Sequence, residues 1–377
     1  MKIVFISNYF NHHQRPFCEA LLPMCDSFCF ISTAEMREER KKLGYAFEEP
    51  DYVLRAYVGD GMDRAKKLIA SADVLIHGGV VGELAKPRYY RGKTVFYYSE
   101  RLYKRCVRRW TLPLRAIQFY FRYLWRQNSL LLCASAYAAY DYSRSHTFRG
   151  RCYRWGYFPE TKQFEINKLI AEKDSRKILW CGRLIDWKHP ELAVETAARL
   201  RSDGVDFSMD IIGSGEMEQT LRKQIADNGL TDCVKLLGSM PPQKTREHME
   251  RAGILLQTSD RQEGWGAVLN EAMNSGCAVV ACSAAGSVPF LLRNGENGFT
   301  FSGDAAELLE KTRALLQQPA LAARFGAAAY ATVSALWNAE TAAQRFARFA
   351  RSVSDGAPLP AYESGPLSPA PILKDDE

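Results

Sequence analysis

At 377 residues, with 47% hydrophobic and 25% charged side chains, the chain is long enough for about two domains with well-filled cores. No stretch approaches the ~18 to 20 uninterrupted apolar residues of a membrane span, which excludes a transmembrane helix. The net charge of +7 is unevenly spread. Residues 1–170 hold 28 Lys/Arg against 16 Asp/Glu and the remainder 22 against 27, so a large anionic partner is expected at the first half.

Apolar runs at 3–7, 28–32, 74–77, 94–98 and 130–134 read as strands with helical patterns between them. The chain opens directly on the first of these, without a signal-peptide layout, and its ten cysteines lie scattered, many inside apolar runs. Reduced thiols in a cytoplasmic protein are therefore expected. Cys25 and Cys29 have no second pair nearby, so no zinc site is expected. The charged stretch 167–177 reads as a linker. A second series of strands follows at 178–181, 208–212, 234–237, 254–258, 278–281 and 298–301. Alternation of this kind defines an α/β chain with parallel sheets covered by helices on both faces. Two Rossmann-like domains are expected at 1–170 and 171–335, with a helix at 336–352 returning to the first. Residues 353–377, with five prolines and an acidic end, read as a disordered tail.

The second half carries its polar residues in loops after strands, where open α/β sheets bind ligands. After the strand at 178–181, Gly182 turns the chain and Arg183 and Lys188 follow. Two cations there would neutralise a diphosphate, Arg bidentately and Lys as a point charge; alone, they would read as a solvated pair. Gly213 and Gly215 form a Gly-x-Gly turn without the third glycine of a dinucleotide fingerprint, so NAD is not implied. Leu237, within 236–240, offers backbone for a base edge to rest on. The stretch 263–271 is the most informative: Glu263 and Glu271 flank a Gly264-Trp265-Gly266 turn that leads through Ala267 into a short helix. Amides at a helix start, with its dipole, favour an anion, and the glycines let a ligand approach the backbone. Two carboxylates beside an anion-accepting turn suit a nucleotide sugar, which offers phosphates and hydroxyls. The plainer alternative is a favourable acid at a helix N-terminus and a solvated one inside it. The 285–289 segment would add a further wall.

Over 178–301 the chain resembles the nucleotide-binding domain of the family 4 retaining glycosyltransferases. Gly182-Arg183 with Lys188, Gly213-Ser214-Gly215, Glu263-x7-Glu271, and Gly276 to Val280 with Gly286 carry the likeness. The resemblance implies the GT-B fold, two Rossmann-like domains facing each other across a cleft. It implies that Arg183 and Lys188 hold the donor diphosphate, Glu263 contacts the transferred sugar and Glu271 the ribose. The backbone of Gly264, Trp265, Gly266 and Ala267 would face sugar and phosphate, with Gly182, Gly213, Gly215 and Leu237 completing the donor wall. Where family members often carry a Gly-Gly after the first strand, this chain has Asn11, His12 and His13, which would approach the diphosphate or lie on the surface. Where many members have a His after the strand at 94–98, this chain has Glu100, with His77 after the preceding strand as its rival. Either would contact the reacting sugar. The implied reaction is retaining transfer from a UDP- or GDP-sugar to a saccharide or lipid-linked acceptor in glycan biosynthesis. No Asp-x-Asp occurs, so no metal and no cofactor are expected.

The segment 101–126 interleaves eight basic residues with aromatics and holds no acid. It reads either as a helix on an anionic membrane surface, placing the enzyme at the inner face, or as a core helix with a solvated Arg face. Pro113 is expected to divide it into two helices. Two other readings are a nucleotide-sugar epimerase of the same fold, disfavoured by the Gly-Arg-x4-Lys turn, and a nucleic-acid binder. The two-domain layout disfavours the latter, and no nucleic-acid partner is expected.

Overall fold

A computed structural model describes residues 1–36, 38, 41, 48–78, 82–104, 112–124 and 129–374. The chain separates into two compact units, Met1–Glu160 with Trp337–Glu377, and Thr161–Leu336.

The first unit is a seven-stranded parallel sheet of β1 (Lys2–Ser7), β2 (Ser27–Ser32), β3 (Val53–Arg55), β4 (Val74–His77), β5 (Val95–Ser99), β6 (Ser129–Cys133) and β7 (Cys152–Arg154), ordered β3-β2-β1-β4-β5-β6-β7. Ile3, Val4, Phe5 and Ile6 are all buried, as a strand covered on both faces requires. The three-residue edge strands β3 and β7 escape sequence reading because they are short and only half-buried. Within this unit the helix Ala339–Asp355 is capped by the Asn338 side chain, which accepts from the Thr341 amide at 2.7 Å. Its Phe346 ring lies 6.0 Å from Phe17 and 4.8 Å from Phe96. Burial of such a ring stabilises by about 1.5–3 kcal/mol.

The second unit is a six-stranded parallel sheet of β8 (Asp174–Cys181), β9 (Ser208–Ile212), β10 (Val234–Gly238), β11 (Ala252–Gln257), β12 (Ala278–Cys282) and β13 (Phe299–Phe301), ordered β10-β9-β8-β11-β12-β13. Both orders reverse direction of growth after the first strand, the doubly wound arrangement. Ile178, Trp180, Ile211, Ile254, Leu256 and Val280 share one core.

Two expectations about organisation need correction. The linker at 167–177 is instead the helix Ile166–Ala171 followed by the start of β8, and the units divide at Glu160. The charges there are structural: the Lys173 ammonium donates to the carbonyls of Met249 at 2.7 Å and Ala252 at 2.8 Å, and burial pulls its pKa down. Lys177 pairs with Asp210 at 2.9 Å. The tail is not disordered over its described length. The Arg154 amide donates to Ser368 at 2.8 Å, the Leu367 amide to Arg154 at 2.8 Å, and Leu367 is fully buried. Arg345 lies over the Tyr362 ring and donates to the Pro366 carbonyl, so the proline-rich segment is docked as turns that meet the sheet at one isolated antiparallel bridge, Pro369 to Tyr153. Pro113 falls in the first turn of the described helix Leu112–Leu124, where proline is tolerated; 105–111 and 125–128, on which the expected division into two helices turns, lie outside the described residues. Among the described residues no helix is long and apolar enough to cross a membrane, and the nine described cysteines are free thiols.

Candidate functional site

In the second unit the loop after β8 and the loop after β11 are fastened together. The Trp180 indole donates to Thr258 Oγ1 at 2.8 Å, and that hydroxyl donates to the Lys188 carbonyl at 2.7 Å. The Asp260 amide donates to the Trp187 carbonyl at 3.0 Å. His189 adopts a left-handed φ of +49° just before the helix Pro190–Ser202, which turns its ring toward Glu191 (2.7 Å) and Asp260 (3.6 Å). Bonds to Asp260 and Glu191 outweigh burial and raise the imidazole to about 9. Burial pushes the Asp260 carboxyl up, but His189 and Gln262 together hold it below its ordinary value. Across this braced joint the Lys188 ammonium forms an ion pair with Glu263 Oε2.

Arg183 leaves the same loop exposed, 5.4 Å over the Trp187 ring, with the Lys188 ammonium 5.1 Å from that ring. Among the described residues no carboxylate pairs with Arg183. One cation is thus engaged with Glu263 and the other is left for an anion.

Glu263 is 8% exposed, and its carbonyl accepts from the Gly286 amide at 3.1 Å. The Trp265 carbonyl accepts from the Ser287 amide at 3.1 Å, while its buried indole donates to Asn270 at 2.8 Å. The 285–289 loop therefore holds the turn from behind. Among the described residues no acceptor meets the amides of Gly264, Gly266 and Ala267. Gly264 and Gly266 are buried, so their donors call for a partner supplied from outside the chain. The helix Val268–Asn274 spans only seven residues. Individual amides, more than a summed dipole, attract an anion here. Glu271 lies in its first turn; burial raises its carboxyl, and the Arg246 charge partly offsets this.

The Gly-x-Gly turn is explained by backbone packing. Gly213 has φ +144°, and a Cβ there would stand 1.8 Å from the Gly182 carbonyl oxygen; one at Gly215 would stand 2.3 Å from that of Leu184. The Gly182 amide donates to Ile212 and the Leu184 amide to Ser214, so the loops after β8 and β9 interlock. Leu237 sits at a bulge of β10, where the register shifts between Leu236 and Gly238.

Gln257 was not singled out from the sequence. It ends a strand in which every residue is buried, it is 3% exposed, and neither carboxamide atom has a partner among the described residues. An unpaired buried polar group costs about 1–3 kcal/mol. A lone Gln inside an apolar run was the available signal.

In the first unit Tyr157 links two of the candidates: its ring lies 6.2 Å from that of His13 and its hydroxyl donates to Glu100. Asn11 Oδ1 accepts from the amides of His13 (3.0 Å) and Gln14 (3.2 Å), shaping the turn into the helix Arg15–Leu21. The His12 and His13 rings lie 3.7 Å apart, half-buried. His77 ends β4, almost fully buried and stacked 5.2 Å from Tyr97; Gly79 lies outside the described residues. Glu100 has both oxygens engaged, one by Lys104 and one by the Tyr157 hydroxyl. The 101–126 segment is not uniformly a surface. Arg101 is buried beside Asp141, whose other oxygen caps the amides of Leu102 and Tyr103. The described helix Leu112–Leu124, by contrast, exposes Leu114 (68%), Ile117 (54%) and Phe121 (61%).

Paired doubly wound sheets with polar loops at their carboxyl ends define a class, the GT-B fold. Solved structures agree: the Anabaena protein HepE in complex with UDP superposes with a TM-score of 0.70 at 18% identity, over 93% of this chain and all of that one. WaaG, a glycosyltransferase involved in lipopolysaccharide biosynthesis, superposes with a TM-score of 0.62 at 14% identity, over 92% and 98%. Within that class, residues 161–332 match the family model "Glycosyl transferases group 1", and this segment belongs to that family. The amylovoran biosynthesis glycosyltransferase AmsK of Erwinia amylovora is 33% identical over 155 residues, 40% of this chain and 38% of the relative. The putative colanic acid biosynthesis glycosyltransferase WcaL of Salmonella typhimurium is 30% identical over 133 residues, 34% and 32%. The chain thus spans less than two fifths of the length of these relatives.

Proposed function

We propose that the protein transfers a sugar from a nucleoside-diphosphate donor, a UDP- or GDP-sugar, to a saccharide or lipid-linked acceptor in polysaccharide or glycolipid assembly. The observation that carries this reading is the cluster in the second unit: the Lys188–Glu263 pair, the unpaired Arg183, and the three unmatched amides of Gly264, Gly266 and Ala267. Support comes from the names of the relatives, in amylovoran and colanic acid biosynthesis, and from the neighbour HepE, solved with UDP and with UDP-glucose.

In this reading Arg183 and Lys188 face the diphosphate, and the amides stabilise charge as the bond from the anomeric carbon to the diphosphate oxygen breaks. The acceptor oxygen bonds that carbon on the same face, and its proton passes to the departing diphosphate, so the configuration is retained. Glu263, held by Lys188, orients the sugar hydroxyls, and Glu271 takes the ribose. The chain lacks an Asp-x-Asp, so the charge is met by side chains and amides without a metal. Assay of UDP-glucose and GDP-mannose consumption in excess chelator, with the product anomer read by NMR, tests the proposal. An inverted product, or activity restored only by Mg²⁺ or Mn²⁺, overturns the corresponding part.

The helix Leu112–Leu124 supports a membrane-surface partner. Leu114, Ile117 and Phe121 fall on one face at helical spacing and are exposed, with Arg115 exposed beside them. Replacing all three by serine is expected to abolish sedimentation with phosphatidylglycerol vesicles and to leave donor binding intact. Unchanged sedimentation would remove the membrane from the proposal.

A further inference from the structure

We infer that Trp187 is a positioning residue: the face of its indole holds Arg183 and Lys188 together for the diphosphate of the donor. The inference rests on the transfer reading above and goes beyond it by naming the residue that orders the two cations.

Trp187 sits in the one-turn helix Asp186–Lys188 that follows β8. It is half-buried, its neighbours Asp186, Lys188 and His189 are polar, and its ring takes no part in the hydrophobic core of the unit. Core packing therefore does not account for a large aromatic on this loop. What the ring meets is charge. The Arg183 guanidinium lies 5.4 Å from its centroid and the Lys188 ammonium 5.1 Å. Both fall inside the roughly 6 Å over which the quadrupole of an indole attracts a cation. The backbone that carries the ring is fixed at both ends. Its carbonyl accepts from the Asp260 amide at 3.0 Å, and its amide donates to Asp186 Oδ1 at 2.7 Å.

An exposed arginine samples many rotamers, and an anion that captures it must halt that motion. Contact with the indole restrains the side chain beforehand. It also offsets the repulsion between two like charges, because the negative face of one ring attracts both. Neither cation is used up by the contact. A guanidinium can meet a ring with its face and an anion with its edge, and an ammonium paired with Glu263 keeps further N–H donors. Arg183 is exposed and Trp187 is half-buried, so an anion reaches the pair from solvent.

Calorimetric titration separates this role from packing. UDP and GDP, with uridine and guanosine as probes that lack the diphosphate, are titrated into wild type, Trp187→Leu, Trp187→Phe and Arg183→Ala. Trp187→Leu should weaken whichever nucleotide wild type binds by about fivefold, the size of a solvent-facing cation–π contact, and leave its nucleoside unchanged. Trp187→Phe keeps an aromatic face and should recover most of that loss. Added to Arg183→Ala, Trp187→Leu should cost less than about twofold more, since the ring then has only Lys188 to hold. Equal weakening of nucleotide and nucleoside, or the same loss in the Leu and Phe variants, makes the ring a packing residue and overturns the inference. So does a full fivefold loss in the Arg183→Ala background. A wild-type chain that binds neither UDP nor GDP overturns the transfer reading itself, and this inference with it.

Discussion

The two units are built on the same strand order, yet only one concentrates chemistry at the ends of its strands. In the second unit, the loops after β8, β9, β11 and β12 are tied to one another by backbone bonds, a Trp180–Thr258 link, the His189–Asp260 contact and the Lys188–Glu263 pair. What remains unmet there is a compact set of donors and one carboxamide. In the first unit several of the corresponding polar groups are consumed, Glu100 by Lys104 and Tyr157, Asn11 by its own turn and Asp141 by the amides of Leu102 and Tyr103, while the buried Gln14 Oε1 has no partner among the described residues. The same topology therefore leaves braced loops with unmatched amides at the strand ends of one unit and a more self-satisfied set of loops in the other. The difference lies in which loop groups are left over once the backbone has been satisfied.

The sharpest way to break this comparison is to disable the braced site. Glu263→Gln should lower transfer about a hundredfold and spare nucleotide affinity, and Lys188→Ala should lower both, since it removes a charge from the diphosphate and strands Glu263. Nucleotide affinity untouched in Lys188→Ala would show that the cation serves only Glu263. Gly213→Ala comes next: its Cβ would meet the Gly182 carbonyl at 1.8 Å in a left-handed backbone, so the second unit should lose on the order of 1–3 kcal/mol. Melting within a degree of wild type would mean that the loops after β8 and β9 do not depend on that approach.

The pH dependence of the brace is smaller. The folded His189 is raised to about 9 from its ordinary 6.5. Its contribution is thus fully present below pH 6.5 and is lost as pH rises through about 9. The melting temperature of wild type should fall over pH 6.5–9 relative to His189→Gln; parallel curves would sever the ring from the brace. The least effect is expected from Glu100→Gln in the first unit. It keeps a partner for Tyr157 and loses only a half-exposed ion pair with Lys104, so stability should change by less than about 1 kcal/mol. If transfer nevertheless collapses with donor affinity intact, Glu100 acts on the reacting sugar and the contrast between the units narrows.

The amino-acid order by itself determined the α/β class and eleven of the thirteen described strands to within a few residues, and it singled out Arg183, Lys188, Glu263 and Glu271, of which the structure pairs Lys188 with Glu263. Buried parallel strands are continuous apolar runs, and loop residues of fixed type follow them at fixed distances, so both signals are local. Tertiary structure alone decided the rest. The half-buried edge strands β3 and β7, the docked turn around Leu367 and the role of Lys173 all depend on partners distant in sequence. So does the fate of each polar group: Glu100 is spoken for by Tyr157, 57 positions away, while Gln257 finds no partner among the described residues. Whether a hydrogen-bonding group is satisfied depends on what folds against it, and no pattern of neighbours along the chain encodes that directly.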